Sequence, residues 1–352
     1  MFKLETDSTL NIKVIGIGGA GNNIVNLAVD SARLSKTEEH SFAGVEFINI
    51  NTDSQVLKNS PVPLKIQLGT YTTRGEGTGG DIIEARRAVE EQREEIIQVV
   101  KGAHLVFLVA GLGGGTGTGA TPVISDIASQ LGAMTIGVVT LPFSFEGRRR
   151  RVKAFTGKEK LKNKLDTLIA IENDRLFASF TDGSLALKES FDKANALLAE
   201  IVESLSSLLL TTGIVNLDMA AFRKVMVGSK DVALSIGEGN GEDRVSSCVQ
   251  SVLNSPWLEK CNFKSLKRVL VDIMGGEDLT FKEASRVVEM LNRRVHPEAY
   301  ITFGAVTLPR YNNKLKVVVV GDTTPIEATE ELKSPLPHPL KKGEGGPLLW
   351  RE

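Results

Sequence analysis

The chain has 352 residues, a formal net charge of −1 and 41% hydrophobic side chains, so it is long for a single core, ordinary for a globular protein, and two domains are expected. The near-zero charge lacks the basic footprint of a nucleic-acid binder; two cysteines, Cys248 and Cys261, make neither a disulfide framework nor a zinc pattern, and four scattered histidines make no metal cluster. No apolar leader or membrane-length run is visible, so the cytoplasm is the expected compartment, without direct membrane insertion.

A first strand is expected over 11–16 (NIKVIG), running into Gly16-Ile17-Gly18-Gly19-Ala20-Gly21 and then a helix over 22–32. That is a literal G-x-G-x-x-G in the strand–turn–helix context of a dinucleotide fingerprint. A second strand, 45–50, ends in Asn51-Thr52-Asp53, where Asp53 could supply the acidic residue such a fingerprint needs. A short third strand, 64–68, leads to the glycine-rich turn 73–81, which includes Gly77 and Thr78. Asp81 then opens a charged helix, 82–101, expected on the surface.

The fourth strand, 104–110 (HLVFLVA), precedes Gly113-Gly114-Gly115-Thr116-Gly117-Thr118-Gly119 and a helix over 120–131. Five glycines in seven residues allow a tight turn whose free N–H groups cradle an anion, helped by the following helix N-terminus. Thr116 and Thr118 add hydroxyls. No Lys follows the last Gly, so this is not the G-x-x-x-x-G-K-[ST] loop. A fifth strand, 133–141, leads through Phe143, Phe145 and Glu146 to four arginines, Arg148 to Arg151. They open an amphipathic helix, and a solvated helix start or a ligand clamp is favoured over nucleic-acid contact. With a sixth strand at 167–171, the pattern is a doubly wound parallel sheet with its ligand at the strand carboxyl ends.

One helix is expected over 184–210, with apolar residues at Leu187, Phe191, Leu197, Ile201, Leu205 and Leu208. It would run about 40 Å at 1.5 Å per residue. A loop over 211–221 follows. Strands at 231–236, 268–274, 300–307 and 315–320, with helices at 242–254 and 281–293, suggest a smaller α+β domain. From 322 the chain is rich in Pro, Lys and Glu and reads as a disordered tail ending in Leu348, Leu349 and Trp350.

Three glycine turns at successive strand ends exceed what one dinucleotide needs. GIGGAGNN, NTD, GGGTGTG and SFEG, followed by a long helix and N-x-D, together resemble the FtsZ/tubulin family of filament-forming GTPases over about residues 11–321. The resemblance implies an α/β fold: a Rossmann-like GTPase domain (11–183), a central helix and synergy loop (184–221) and a C-terminal α+β domain (222–321). Tails at 1–10 and 322–352 flank them. It implies GTP or GDP as ligand, with Mg²⁺, and a head-to-tail homopolymer at the division site, recruited by division or membrane-tether proteins.

It also implies site residues. Gly18, Gly19, Ala20, Gly21, Asn22 and Gly113 to Gly119 (Gly113, Gly114, Gly115, Thr116, Gly117, Thr118, Gly119) would surround the phosphates. Asn23 and Asn195 would read the guanine edge, with Phe191 stacked on it, although its spacing alone fits core packing equally well. Glu146 and Arg150 would sit near ribose and phosphates, Gly77 and Thr78 near the terminal phosphate, and Asp53 near the metal region. Asn216 and Asp218 would act on the neighbouring subunit's nucleotide. Two departures stand out. Where active loops of the family read N-x-D-F-A-D, this chain has Asn216-Leu217-Asp218-Met219-Ala220-Ala221, without the last acid, and its tail lacks the D-I-P-x-F tethering motif. A non-hydrolysing paralogue is therefore the alternative, and a NAD-binding Rossmann enzyme a remote one.

Overall fold

The computed structural model describes residues 10–34, 44–175, 187–210, 214–229, 232–255 and 262–323. Both predicted tails, apart from residues 10, 322 and 323, and the tripeptide at 348–350 lie outside the described residues.

The first domain alternates β1 (Ile12–Ile17), α1 (Gly18–Leu34), β2 (Val45–Asn51), α2 (Ser54–Lys58), β3 (Leu64–Gln67), α3 (Ile82–Glu91), α4 (Arg93–Val100), β4 (Leu105–Gly111), α5 (Thr116–Gln130), β5 (Met134–Leu141), α6 (Arg148–Lys162) and β6 (Thr167–Glu172). All six strands are parallel, in the order β3-β2-β1-β4-β5-β6. β1 lies between β2 and β4, so strand order reverses there. The turns leaving β1 and β4 flank the crevice where such sheets take their ligands. Those two turns carry the two main glycine motifs.

The charged segment 82–101 is two helices, not one. Gln92 interrupts it, with its side chain accepting from Gly69 N at 2.6 Å and donating to Thr70 Oγ1 at 3.2 Å. Nor is the segment only a solvated face: Ala85, Ala88, Val89, Ile96 and Val100 are buried. Periodicity locates such a stripe, but a polar side chain that captures a loop amide is invisible to it.

The central helix α7 (Leu187–Leu210) buries Leu198, Ile201, Val202, Leu205 and Leu208. These join one core with Ile12, Ile24 and Val109 of the first domain and Leu270, Met274 and Val318 of the second. The helix therefore seals both sheets at once. Beyond it, α8 (Met219–Met226) begins inside the segment expected as loop, because Asp218 caps it. The second domain contains β7 (Ala233–Asn240), α9 (Arg244–Leu253), β8 (Arg268–Gly275), α10 (Phe281–Asn292), β9 (Tyr300–Thr307) and β10 (Lys314–Asp322). Its sheet runs β7-β10-β8-β9, with β10 antiparallel to β7 and β8, and β9 parallel to β8.

Candidate nucleotide-binding cleft

Both glycine motifs bring backbone closer than a side chain permits. A Cβ on Gly21 would lie 2.2 Å from the Val109 carbonyl oxygen, and one on Gly117 would lie 2.4 Å from that of Gly111. These contacts press α1 and α5 onto β4. The helices start within the motifs, at Gly18 and Thr116, so their unpaired N–H groups gather at the same crevice. Gly18 and Gly113 turn with φ of +73° and +102°, values that strain any L side chain.

A cleft of about 240 Å³ opens there, lined by Gly18, Gly19, Ala20, Gly114, Gly115, Thr116 and Gly117 on one side. Thr140, Pro142, Glu146, Arg150, Asn173, Phe191 and Asn195 complete it. Glu146 is fixed twice: it accepts from Phe143 N at 2.8 Å and pairs with Arg150 Nε at 3.1 Å. Phe191 is half-buried and meets Phe143 edge-on, with ring centroids 5.2 Å apart. It thus packs on one side and lines the cleft on the other. A wider opening of about 650 Å³ continues past Gly113 to Gly79, Gly80 and Lys153.

Several predicted residues stand behind the cleft wall. Asn22 is buried and ties strand ends together, donating to the carbonyls of Gly16 (2.8 Å) and Ile50 (3.3 Å) and accepting from Asn51 (2.7 Å). Thr118 is buried too, its Oγ1 accepting from Gly113 N at 2.8 Å. Thr116, by contrast, lines the cleft, and its Oγ1 meets Thr52 Oγ1 at 2.7 Å. Gly119 packs α5 on α3, since a Cβ would meet Ala85 at 2.6 Å. Gly77 N donates to Thr52 O at 3.1 Å, and Thr78 is buried beside Gly115. Asn23 is exposed on α1 outside the lining. The Asp53 carboxylate caps α2, accepting from Gln55 N at 2.9 Å and Val56 N at 3.3 Å.

Sequence reasoning missed Asn173. It follows β6 directly, is 8% exposed, lines the cleft, and its Oδ1 has no hydrogen-bond partner. A buried acceptor left unpaired at a cleft points to a ligand donor. The available signal was its position one residue beyond a parallel strand's carboxyl end.

Asn216 and Asp218 are not near this cleft. They follow α7, and from Asn195 to Leu210 the helix rises about 22 Å at 1.5 Å per residue. Asp218 is exposed and caps α8 through Ala221 N at 2.6 Å.

A model of the Tubulin/FtsZ family GTPase domain matches residues 11–181, and one of the FtsZ family C-terminal domain matches residues 231–324. The chain belongs to the Tubulin/FtsZ family. An empty FtsZ dimer from M. jannaschii is 36% identical, with a TM-score of 0.83, over 90% of this chain and 89% of that one. A point mutant of M. jannaschii FtsZ is also 36% identical, with a TM-score of 0.82, over 90% and 91%. CetZ2 from Haloferax volcanii, in a GTPγS-bound protofilament, shares the fold at 20% identity, with a TM-score of 0.74 over 92% and 96%. The chain thus carries the family's GTPase domain, and the glycine cradle belongs to that domain. Among the described residues, no helix is long and apolar enough to cross a membrane, and no three His, Cys, Asp or Glu side chains gather as metal ligands.

Proposed function

We propose that the chain binds GTP and GDP in this cleft and polymerises head to tail, with hydrolysis completed between subunits. The observation that carries this reading is the separation along α7. Phe191 and Asn195 line the cleft near one end, whereas Asn216 and Asp218 lie beyond the other, out of reach of the same molecule's nucleotide. A residue set split this way can act together only if one subunit's lower end meets the next subunit's cleft. Such a heterologous contact is open-ended and builds a filament.

In the site, backbone N–H groups of residues 18–21 and 114–117 would hold the phosphates, Phe191 would stack on the base, and Asn173 and Asn195, which line the cleft, would address its edge. Glu146 and Arg150 would position the ribose and phosphates. Mg²⁺ needs few protein ligands and would neutralise phosphate charge; the resemblance makes Asp53, whose Oδ1 also caps α2, its candidate ligand. The arriving Asp218 and Asn216 would orient the attacking water. Membership of the family supports a cytoplasmic role at the division site, with division or membrane-tether proteins as partners.

A second reading is favoured by Ala221, which offers no acceptor where active family loops carry an acid. In it, the chain is a structural or regulatory paralogue that assembles without turnover. Sedimentation with GTP, with phosphate release followed in the same sample, tests both. Pelleting with slow release supports the first, pelleting with none the second. Absence of GTP-dependent pelleting overturns the filament reading.

A further inference from the structure

We infer that Lys153 is the terminal-phosphate contact of this cleft: its ammonium leaves the Gly80 carbonyl for the third phosphate when a nucleoside triphosphate binds. The inference rests on the nucleotide-binding reading above and adds a residue that discriminates triphosphate from diphosphate.

Lys153 is half-buried on α6, and its Nζ donates to the Gly80 carbonyl at 2.7 Å. It lines the wider part of the opening, where Gly79, Gly80, Gly113, Gly114 and Gly115 expose backbone. Three residues after Arg150, it lies on the same face of the helix. The two cations differ in commitment. Arg150 is already paired with Glu146 at 3.1 Å. Among the described residues Lys153 forms no ion pair, and the nearby Asp81 carboxylate caps α3 by accepting from Ile83 N at 2.7 Å and Glu84 N at 3.2 Å. Arg148 and Arg149 also border the opening but are exposed.

An ammonium has three donors and no acceptor, so one neutral carbonyl leaves most of its capacity unused. A phosphate oxygen is the stronger, charge-assisted partner, and the four-carbon stem of Lys lets the head group move. The loop it would release is built to respond. Gly77, Gly79 and Gly80 have φ of +79°, +56° and +86°, and nothing lies within 4 Å of a Cβ at Gly77 or Gly79. With a diphosphate the ammonium stays on Gly80 and holds the loop. With a triphosphate it transfers, and the loop rearranges.

The test is calorimetric titration of GDP and of a non-hydrolysable GTP analogue into the unsubstituted chain, K153M and K153R. Protein is kept below the concentration at which it sediments. K153M should lose about tenfold in affinity for the triphosphate, the worth of one charge-assisted hydrogen bond, with GDP changed less than about twofold. K153R should recover most of the loss. Equal losses for both nucleotides would reduce Lys153 to a prop for the loop and overturn the inference, as would no loss at all. Binding of neither nucleotide by the unsubstituted chain would instead overturn the cleft reading, and this inference with it.

Discussion

Asp218 Oδ1 accepts the backbone N–H of Ala221 at 2.6 Å, so the acid kept from the family's loop caps the helix on which the missing acid would stand. An N-cap Asp fixes the first turn and leaves its second oxygen for other work. Ala221 holds its place in that turn without an acceptor. In the proposed filament, water positioned for in-line attack would then have one orienting carboxylate instead of two, and loss of such a group typically slows a reaction about 10²–10⁴-fold. Ala221→Asp is expected to raise phosphate release at least about tenfold under sedimenting conditions, with GTP affinity unchanged, because in the proposed filament the residue would serve the neighbour's nucleotide. A variant no faster than its parent refutes the argument from this position.

Gly114 and Gly117 share one motif but differ in what surrounds them. A Cβ at Gly114 meets nothing within 4 Å, whereas one at Gly117 meets the Gly111 carbonyl oxygen at 2.4 Å. Gly117→Ala must push α5 off β4, a backbone shift costing about 1–3 kcal/mol. Gly114→Ala should melt within a degree or two of the parent, yet bind GTP more weakly, because its methyl group enters the phosphate cradle. Thermal melts and nucleotide titrations of the two variants separate these effects. Similar melting for both would mean that the strand–helix contact is slack.

The unpartnered Asn173 Oδ1 makes a different prediction. A buried acceptor with nothing to accept from destabilises the empty protein, and a ligand donor relieves it. Asn173→Ala should therefore leave the melting temperature of the nucleotide-free chain unchanged or raised. GTP affinity should fall about tenfold or more, the effect of one hydrogen bond at a buried site. A large loss of stability with intact affinity would make Asn173 a structural residue.

Most of the first sheet was legible because its central parallel strands, such as β4 and β5, are buried apolar runs that end in glycine turns or loops; the strands of the second domain, with β10 antiparallel to β7 and β8, followed from shorter β-branched stretches. The glycine motif at residues 113–119 stood out between a strand and its helix, but the sequence did not separate the glycines that line the cleft, Gly114 and Gly115, from Gly119, which packs α5 on α3, or show that Gly117 both lines the cleft and packs α5 on β4. Individual roles were less legible. Asn22 and Asn23 are adjacent and chemically identical, yet one is buried between strand ends and the other exposed. The helix that starts at Gly18, not at Asn22, decides which of them faces inward. Thr118 likewise braces Gly113 from behind and packs beside Gly157, where a Cβ would meet its Cγ2 at 2.7 Å. α2 and α8 escaped notice because each is short, five and eight residues, and both depend on an Asp cap that reads equally well as a site residue.

Asp272 on β8 makes the folded state sensitive to pH. It is fully buried beneath α7, where Ser204 donates to its Oδ2 while its Oδ1 has no partner. Lys316, buried on the neighbouring β10, pairs with Glu200 of α7 and, at 2.9 Å, with Glu238 of β7. Burial pushes the Asp272 carboxyl up to about 7, against the opposing pull of the Ser204 hydrogen bond and the Lys316 charge. Its ordinary value is 3.8. Below that value the group is protonated in folded and unfolded chains alike and does not affect the balance. Between 3.8 and about 7 the unfolded chain ionises first, so this group's contribution turns against folding as pH rises and is fully unfavourable above about 7. Asp272→Asn keeps the shape and an acceptor for Ser204 but cannot ionise. It should raise the melting temperature at pH 8 by several degrees, since about 1 kcal/mol shifts a domain of this size by roughly 2–4 °C. The gain should shrink steadily toward pH 4. Melting curves of parent and variant across that range give the comparison. A difference independent of pH would mean that folding does not shift the Asp272 carboxyl, and a gain that grows on acidification would mean that it is ionised in the folded protein and held by Lys316.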